Sequence, residues 1–287
     1  MNEAAILAAR ARESKITHQM LVDAIARVQM GPEKHSHKAP EEDLRLTAVH
    51  EGGHAIVGHF LPHCDDVHLI TIVPRGQSAG HTLALPAVEH DHTSRSQILD
   101  TITMMLGGRA AEEVVSGEIY TGAVSDLQRA TELARKMVTQ FGMSEKLGTI
   151  YLGSDQEVFV GMEFGQSREY SEEVAAQIDA EIRRVLERCY ARAKDLLREH
   201  IDLLNALTEN LLKLQTINRA EFLALVETGS IPEGLGGDKP REAAPIPPMD
   251  KPAQPEAKTA TGPAPDKVPL PDDFKVFPGE GDDSSEG

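Results

Sequence analysis

Two histidines and a glutamate near residue 50 follow the pattern HExxH, at His50, Glu51 and His54. Residues four apart lie on the same face of an α-helix, so both imidazoles can reach one metal ion. A zinc ion in such a site lowers the pKa of a water molecule and polarises a carbonyl group. Glu51 would lie beside the ion, where it can take a proton from the water and deliver it to a leaving amine. The spacing therefore indicates a zinc site that hydrolyses amides.

The alternative is a surface helix with two unrelated histidines, because a pattern this short also occurs by chance. Two features of the sequence oppose that alternative. Apolar residues flank the motif on both sides, at 48–49 and 55–57, which favours a buried helix. In addition, Gly52 and Gly53 each cost about 1 kcal/mol relative to alanine in a helix interior. Close approach of another backbone, or of a substrate, would explain why glycine stands there.

A zinc site needs a third protein ligand, and the residues around the motif do not supply one. The extended pattern HExxHxxGxxH requires glycine at 57 and histidine at 60, where Val57 and Phe60 stand. His59 and His63 are separated by the helix-breaking Pro62, so we expect them at the surface or behind the ligands. A carboxylate from elsewhere in the chain remains, and periodicity does not choose it among many.

The elements that would position these residues are mostly helical. Capping signals at Thr93 and Ser125 predict helix starts. Apolar residues recur at helical spacing over six segments, the last of which holds two long helices and a shorter one: 2–12, 16–30, 41–61, 94–115, 126–141 and 171–226. Segments 67–73 and 81–85 are β-branched or alternating and predict strands. The expected fold class is mainly α with a small β-sheet.

Composition limits the partners and the compartment of the chain. Its 287 residues carry a formal net charge of -17, which disfavours nucleic acid as a partner because nucleic acid rewards clustered Lys and Arg. Two cysteines are too few for a disulfide framework. No apolar run reaches the roughly 18 residues that span a bilayer. We therefore expect the chain itself to be soluble and to work in a reducing compartment.

Composition changes sharply near Ser230. Twelve of the 17 prolines lie in 230–287, together with twelve acidic and six basic side chains. Such a segment buries too little apolar surface to offset chain entropy, so we expect a disordered, Pro-rich acidic tail. Solubilising the chain is the simplest role for this tail. Recruiting partner proteins, as an acidic adaptor does, is a further hypothesis.

Six separated strings between residue 2 and about 229 resemble one protein family. They are, in order, NEAAILAAR, TAVHEGGHAIVGHFLPH, TIVPRG, LGGRAAEEVVSGE, TGAVSDLQRATELARKMVTQFGMSEKLG and INRAEFLALV. In these strings the chain resembles the peptidase domain of the FtsH family, the membrane-anchored AAA+ zinc metalloproteases. One departure lies in the motif itself, where Gly52 stands at a position that is usually alanine in the family.

The resemblance implies roles for two carboxylates that the sequence alone does not assign. Asp126 matches the family's third zinc ligand, giving one Zn²⁺ per subunit held by His50, His54 and Asp126. Taken alone, Asp126 is an ordinary acid at a helix N-terminus. Glu112 matches a position near the zinc, where it can orient a ligating histidine. The alternative for Glu112 is an ion pair with Arg109 on a helix surface.

The resemblance also implies a substrate-binding strand. Ile70, Thr71, Ile72 and Val73 correspond to an exposed edge strand beside the family's active site. An extended polypeptide can add to such an edge through backbone hydrogen bonds, which gives little sequence specificity. The expected fold is accordingly a helical zinc-metallopeptidase domain with a small sheet whose edge strand lies by the active site.

The resemblance further predicts the organisation and setting of the protein. Residues 1–32 would end an AAA+ lid subdomain, 33–229 would be the zinc peptidase domain, and 230–287 the tail. No GxxxxGK[ST] loop occurs, so an ATPase and transmembrane segments are expected upstream in a longer protein, and this chain is not expected to hydrolyse ATP. That protein would be a homo-hexamer anchored in a bacterial cell membrane, with this domain in the cytoplasm, degrading unfolded cytosolic and membrane proteins in quality control.

A rival hypothesis treats the chain as a non-catalytic assembly module. Its long C-terminal helices would hold a hexameric ring, and its zinc would be structural. Structural zinc sites close with four protein ligands, whereas catalytic sites leave a position for water. Glu51 favours the catalytic hypothesis, because a structural site has no use for a base there.

Overall fold

A computed structural model describes residues 1–31, 39–74, 78–86, 91–153, 170–232 and 235 of the chain. These residues belong to one compact unit, Met1–Lys239. Residues 33–38 of the predicted linker at 33–39 and nearly all of the predicted tail at 230–287 lie outside the described residues. None of the described helices is both long enough and apolar enough to cross a membrane.

The described part of the chain is mainly helical, as predicted, with three short strands and a 3-10 turn at Thr121–Ala123. The strands are β1 (Asp66–Thr71), β2 (His81–Leu85) and β3 (Thr216–Asn218). The helices are α1 (Asn2–Ala11), α2 (His18–Met30), α3 (Glu41–Phe60), α4 (Arg95–Met105), α5 (Gly107–Ser116), α6 (Val124–Thr139), α7 (Glu172–Glu199), α8 (Ile201–Leu214) and α9 (Arg219–Thr228).

Helix α3 carries the HExxH motif and runs through the middle of the fold. It begins after Pro40 with three acidic residues in its first turn, which favour a helix N-terminus, and it ends at Phe60, before Pro62. Helices α4, α5, α7 and α8 and strands β1 and β2 all pack against it. Every residue from Gly52 to Gly58 except His54 is buried. The prediction of a buried helix over this segment is confirmed.

The sheet is antiparallel and has the order β2-β1-β3. Strand β3 was not predicted, because three residues between two helices are too short for a periodic signal. It pairs with Leu69, Ile70 and Thr71 of β1, and the amide of Ile72 donates to the carbonyl of Gln215 at 2.9 Å. The prediction of an exposed edge is therefore wrong for Ile70, Thr71 and Ile72, since β3 and Gln215 cover that side of β1. Val73 lies beyond the end of β1, and for it the expectation stays a prediction. The strand at the edge beside α3 is β2.

The predicted helix over 94–115 is two helices. Ser94, not Thr93, caps α4 in a reciprocal capping box with Gln97. The chain then turns at Leu106, and α5 starts at the pair Gly107-Gly108. Helix α6 likewise starts at Val124, after the 3-10 turn, and not at 126. These differences shift the helix ends by one or two residues and split one helix at the pair Gly107-Gly108, a break that the predicted helix over 94–115 did not include.

Two apolar clusters hold these helices together. The first joins α3, α5, α8, α9 and the sheet, and the second joins α4, α6 and α7. Leu204, Leu207 and Leu211 of α8 are fully buried against α3, and Ile178, Ile182 and Val185 of α7 face the second cluster. These leucine and isoleucine stripes are core packing, as their spacing predicted.

Candidate metal centre

His50 and His54 lie one turn apart on α3 and direct their imidazoles to the same point. Their Nε2 atoms are 3.1 Å apart, and the rings meet edge to face with centroids 4.8 Å apart. Their side chains are 13 % and 12 % exposed, so both imidazoles are mostly shielded from solvent. The predicted i, i+4 geometry of the motif is present.

The third group at this point comes from the first turn of α6. Oδ2 of Asp126 lies 3.3 Å from Nε2 of His50 and 3.5 Å from Nε2 of His54. The three ligand atoms all lie within 4.8 Å of one another, so a single ion can contact all of them. Two imidazole nitrogens and one carboxylate oxygen are a donor set that suits Zn²⁺. A fourth position stays available for water or substrate.

The second nitrogen of each imidazole is held by another group. His54 donates from Nδ1 to the backbone carbonyl of Met104 at 2.8 Å, and His50 donates from Nδ1 to Oε1 of Glu112 at 2.6 Å. A carbonyl or carboxylate oxygen only accepts, so a ring proton lies on Nδ1 in both residues. Their Nε2 atoms therefore face Asp126, and when neither Nε2 carries a proton, three acceptor atoms converge with no donor among them. A cation is what this arrangement fits.

Electrostatics leads to the same conclusion. Burial by itself would lower the pKa of His50, but hydrogen bonds to Asp126 and Glu112 outweigh it and raise that pKa from 6.5 to about 10. Burial would likewise raise the pKa of Asp126, but hydrogen bonds from the two imidazoles hold it far below its ordinary value. Positive charge is thus strongly favoured at this point, whether a proton or a metal ion supplies it.

Glycines allow α5 to come close enough to support His50. A Cβ atom on Gly108 would lie 2.5 Å from Cε1 of the His50 ring, and one on Gly53 would lie 2.4 Å from the carbonyl oxygen of Gly107. The two helix backbones therefore touch at Gly53 and Gly107. The close backbone approach expected for the glycine pair is found at Gly53. Gly52 faces the side chain of Leu204 instead.

Glu112, whose side chain is 2 % exposed, faces His50. The second carboxylate oxygen of Glu112, Oε2, has no hydrogen-bond partner among the described residues. This contact with the ligating imidazole is the arrangement that the resemblance implied. The alternative, an ion pair with Arg109, is not among the ion pairs of the described part of the chain. Glu113, the next residue, turns away and contacts Tyr190 and Lys194 of α7.

Glu51 lies next to the converging ligands but is not one of them. It is 7 % exposed, and its Oε2 accepts a hydrogen bond from Oγ1 of Thr82 at 2.7 Å. Burial is the largest influence and raises the pKa of Glu51, although the two imidazoles and Thr82 oppose it. A carboxylate with a raised pKa beside a cation site is suited to taking up and releasing a proton. Thr82 is not among the predicted site residues, because a threonine in a strand carries no signal of such a contact in the sequence.

The remaining histidines discussed above lie away from this point. His59 packs against the rings of Phe60 and Phe222, and His63 pairs with the buried carboxylate of Asp100 at 2.8 Å. Neither is in the group that can hold a metal. Ile70, Thr71 and Ile72 are buried in the centre of the sheet, as the strand order requires.

Comparison with known proteins finds one matching family. Residues 37–225 match peptidase family M41. Among curated proteins, the chain is 52% identical over 229 residues to the ATP-dependent zinc metalloprotease FtsH 3 of Symbiobacterium thermophilum, covering 79% of this chain and 37% of that protein. It is 46% identical over 250 residues to FtsH 1 of Conexibacter woesei, covering 86% of this chain and 38% of that protein. It is 43% identical over 235 residues to FtsH of Bacillus subtilis, covering 81% of this chain and 37% of that protein. The chain thus spans little more than a third of the length of these relatives.

Proposed function

Because this chain belongs to peptidase family M41 and is a zinc metalloendopeptidase, we propose that it hydrolyses peptide bonds at the point where α3 and α6 meet. His50, His54 and Asp126 would hold the Zn²⁺ ion. The observation that carries the proposal is the convergence of these three acceptor atoms within 4.8 Å, with Glu51 beside them.

When bound by these residues, Zn²⁺ would supply Lewis-acid chemistry, polarising the carbonyl of the scissile bond and lowering the pKa of a water molecule. Glu51 would take a proton from that water and deliver it to the amine that leaves. Its burial supports this role, because burial raises the pKa of the Glu51 carboxylate and so favours the protonated form that delivers a proton.

Glu112 and the Met104 carbonyl keep the two imidazoles in the orientation that the ion needs. Each accepts the Nδ1 proton of one histidine, which fixes the ring and leaves Nε2 free to ligate. The negative charge of Glu112 also makes His50 a stronger ligand. This contact supports the positioning role for Glu112 over a surface ion pair.

We propose that the substrate is an extended polypeptide that adds to the outer edge of β2. This strand ends the sheet on the side of α3, and its Thr82 touches Glu51, so a strand paired with β2 would pass close to the metal ligands. Backbone pairing reads little sequence, which suits an enzyme that degrades unfolded proteins of many kinds.

For the longer protein, we propose a processive, ATP-dependent protease with an AAA+ ATPase and transmembrane segments ahead of this domain. It would assemble as a homo-hexamer in a bacterial cell membrane, with the peptidase domain in the cytoplasm. The support is the similarity to bacterial relatives named ATP-dependent zinc metalloproteases, of which this chain covers 37% and 38% in the first two cases. Residues 1–32 would then end the lid subdomain of that ATPase.

The rival proposal is a non-catalytic assembly module with a structural zinc. A structural site closes with four protein ligands, and the described residues bring three to this point. The buried Glu51 beside them also favours hydrolysis. Burying a carboxylate costs free energy, and a structural zinc site has no use for a base at this position.

The test compares cleavage of an unfolded, fluorescently labelled polypeptide by the zinc-loaded chain and its Glu51→Gln variant, without ATP. We expect cleavage by the parent and a loss of at least about 100-fold in the variant, with equal zinc content. Glu113→Gln is the matched control, since Glu113 contacts α7, and it should cleave normally. Equal cleavage by Glu51→Gln would refute the role of Glu51, and a parent that binds zinc without cleaving would favour the assembly module.

A further inference from the structure

Thr82 ties strand β2 to the residue that the proposed function uses for proton transfer. Its Oγ1 lies 2.7 Å from Oε2 of Glu51 and 3.0 Å from the backbone oxygen of the same residue. A hydroxyl has one proton to donate, and the shorter distance and the charge favour the carboxylate. The side chain of Glu51 is therefore held by a residue 31 positions away in the chain.

The fold fixes where this hydroxyl lies. Thr82 pairs with Ile70 in the antiparallel register of β1 and β2, and Ile70 is fully buried. Two residues earlier, a Cβ atom on Gly80 would lie 2.9 Å from Cγ of Glu51 and 2.7 Å from Cγ2 of Thr47. The start of β2 thus lies directly on α3, with no room between them, and Thr82 cannot drift from Glu51 without moving the strand.

We propose that Thr82 is a positioning residue for Glu51, holding its carboxylate in the one rotamer that faces the reacting water. The proposal rests on the proposed role of Glu51 in proton transfer. Without the hydroxyl, the buried Glu51 side chain would keep its place in the helix, but its carboxylate would rotate among several orientations. Correct alignment of a proton-transfer group is what raises the rate of the chemical step, and it leaves substrate binding unchanged.

The experiment compares the zinc-loaded chain with Thr82→Val, which keeps the shape and strand propensity but removes the hydroxyl. We expect kcat for an unfolded polypeptide to fall about tenfold, as for the loss of a hydrogen bond to a charged group, with KM and zinc content unchanged. Thr82→Ser restores the hydroxyl and should recover most of the rate. Thr216→Val is the matched control, because Thr216 lies on the opposite edge strand and forms a hydrogen bond with Thr71. The kcat of this variant should equal that of the parent.

Two outcomes would overturn the proposal: a Thr82→Val variant with the parent kcat, or a Thr82→Ser variant as slow as Thr82→Val. Glu51→Gln separates this failure from that of the proposed function. If Glu51→Gln is inactive and Thr82→Val is unaffected, only the role of Thr82 is wrong. If Glu51→Gln keeps full activity, the proposed function fails and the role of Thr82 fails with it.

A second measurement does not depend on cleavage. The unfolding equilibria of Thr82→Val, Glu51→Ala and the double variant form a cycle that isolates the contact between the two side chains. We expect a coupling of about fivefold or more in the unfolding equilibrium constant. If the effect of the double variant on the unfolding equilibrium constant equals the product of the two single effects to within about twofold, the proposal is overturned. This result would count even if the chain alone cleaves nothing.

Discussion

At the scale of single residues, the metal centre is a competition between a proton and an ion for the same three acceptor atoms. Burial opposes charge on His50, but the carboxylates of Asp126 and Glu112 outweigh it and raise its pKa from 6.5 to about 10. In the metal-free chain, the protonation of His50 contributes to the free energy of unfolding. This contribution is complete below pH 6.5 and is lost as the pH rises through about 10. Near neutral pH, Zn²⁺ must therefore displace a proton from His50.

The affinity for Zn²⁺ is accordingly expected to increase with pH. Between pH 7 and 9 the apparent Kd should fall about tenfold per pH unit, because one proton leaves as each ion binds. Above about pH 10, the pKa of His50, the increase should stop. Competition against a chromogenic chelator in buffers of constant ionic strength measures this slope.

His63→Gln provides the control for this titration. His63 pairs with Asp100 and is not in the metal group, so its removal should leave the slope unchanged. An affinity that does not change between pH 7 and 9 would mean that His50 is already neutral at pH 7, which would contradict its raised pKa.

The residues of this site differ in how far the sequence could predict them. His50, Glu51 and His54 follow from spacing alone, because they lie on one helix. Asp126 is 76 positions from His50 and reaches it only through the packing of α6, so it required the resemblance to a known family. Thr82 gave no signal, since its role depends on how a strand lies against a helix.

At the scale of elements, the contact between α3 and α5 decides whether the site forms. These helices meet backbone to backbone, because a Cβ on Gly53 or on Gly107 would lie 2.4 or 2.8 Å from the other residue's carbonyl oxygen. The same approach brings Gly108 against the His50 ring and Glu112 to its Nδ1. Separating the helices would therefore remove the support of His50 without changing any ligand.

The two neighbouring glycines of the motif are expected to respond differently to alanine. Gly53→Ala should lower the free energy of unfolding by about 3 kcal/mol, because its methyl group overlaps the Gly107 carbonyl. Gly52→Ala should change it by no more than about 1 kcal/mol. Its methyl group would lie 3.0 Å from the end of Leu204, and the gain in helix propensity offsets the small shift.

Urea denaturation of both variants, monitored by circular dichroism, gives the comparison. Because the variants differ by one position in the same helix, propensity cancels and the difference reports the contact with α5. Equal stabilities would show that α3 and α5 can separate at little cost.

The elements were predictable where a long apolar period runs through them. The spacing predicted α7 and α8, because each buries an apolar stripe. The bounds of α3 followed from Pro40 and the acidic residues after it at one end and Pro62 at the other. The spacing did not predict the break at Leu106 or strand β3, which depend on contacts distant in sequence. The same reason explains the wrong expectation for residues 70–72, because the sequence pattern of a strand does not reveal how many neighbours it has.

At the scale of the whole molecule, the apolar core extends slightly beyond the last helix, to a residue that follows α9. Ile231, two residues beyond the Gly229 cap of α9, packs partly buried against the cluster that holds α3 and α8. The composition of 233–287 contains no comparable apolar stripe. The boundary of the stable unit is therefore expected just after Ile231.

Two truncations test this boundary. A chain ending at Pro232 should unfold at the same temperature as the full chain. A chain ending at Ser230 loses Ile231 and should be less stable by about 1 kcal/mol, which lowers the Tm by a few degrees. Scanning calorimetry of both chains decides the matter. If the Pro232 chain melts clearly lower than the full chain, residues beyond 232 contribute to the fold.

The distribution of the site over the chain has a consequence for its biosynthesis. One helix supplies two ligands, but the third is 76 positions later, and the groups that orient the histidines come from α4 and α5 between them. A polypeptide emerging from the ribosome has no complete ligand set until α6 has been made and has docked. If this site performs the proposed hydrolysis, a partly synthesised chain cannot cleave other polypeptides. Peptidase activity would begin only when the domain has folded.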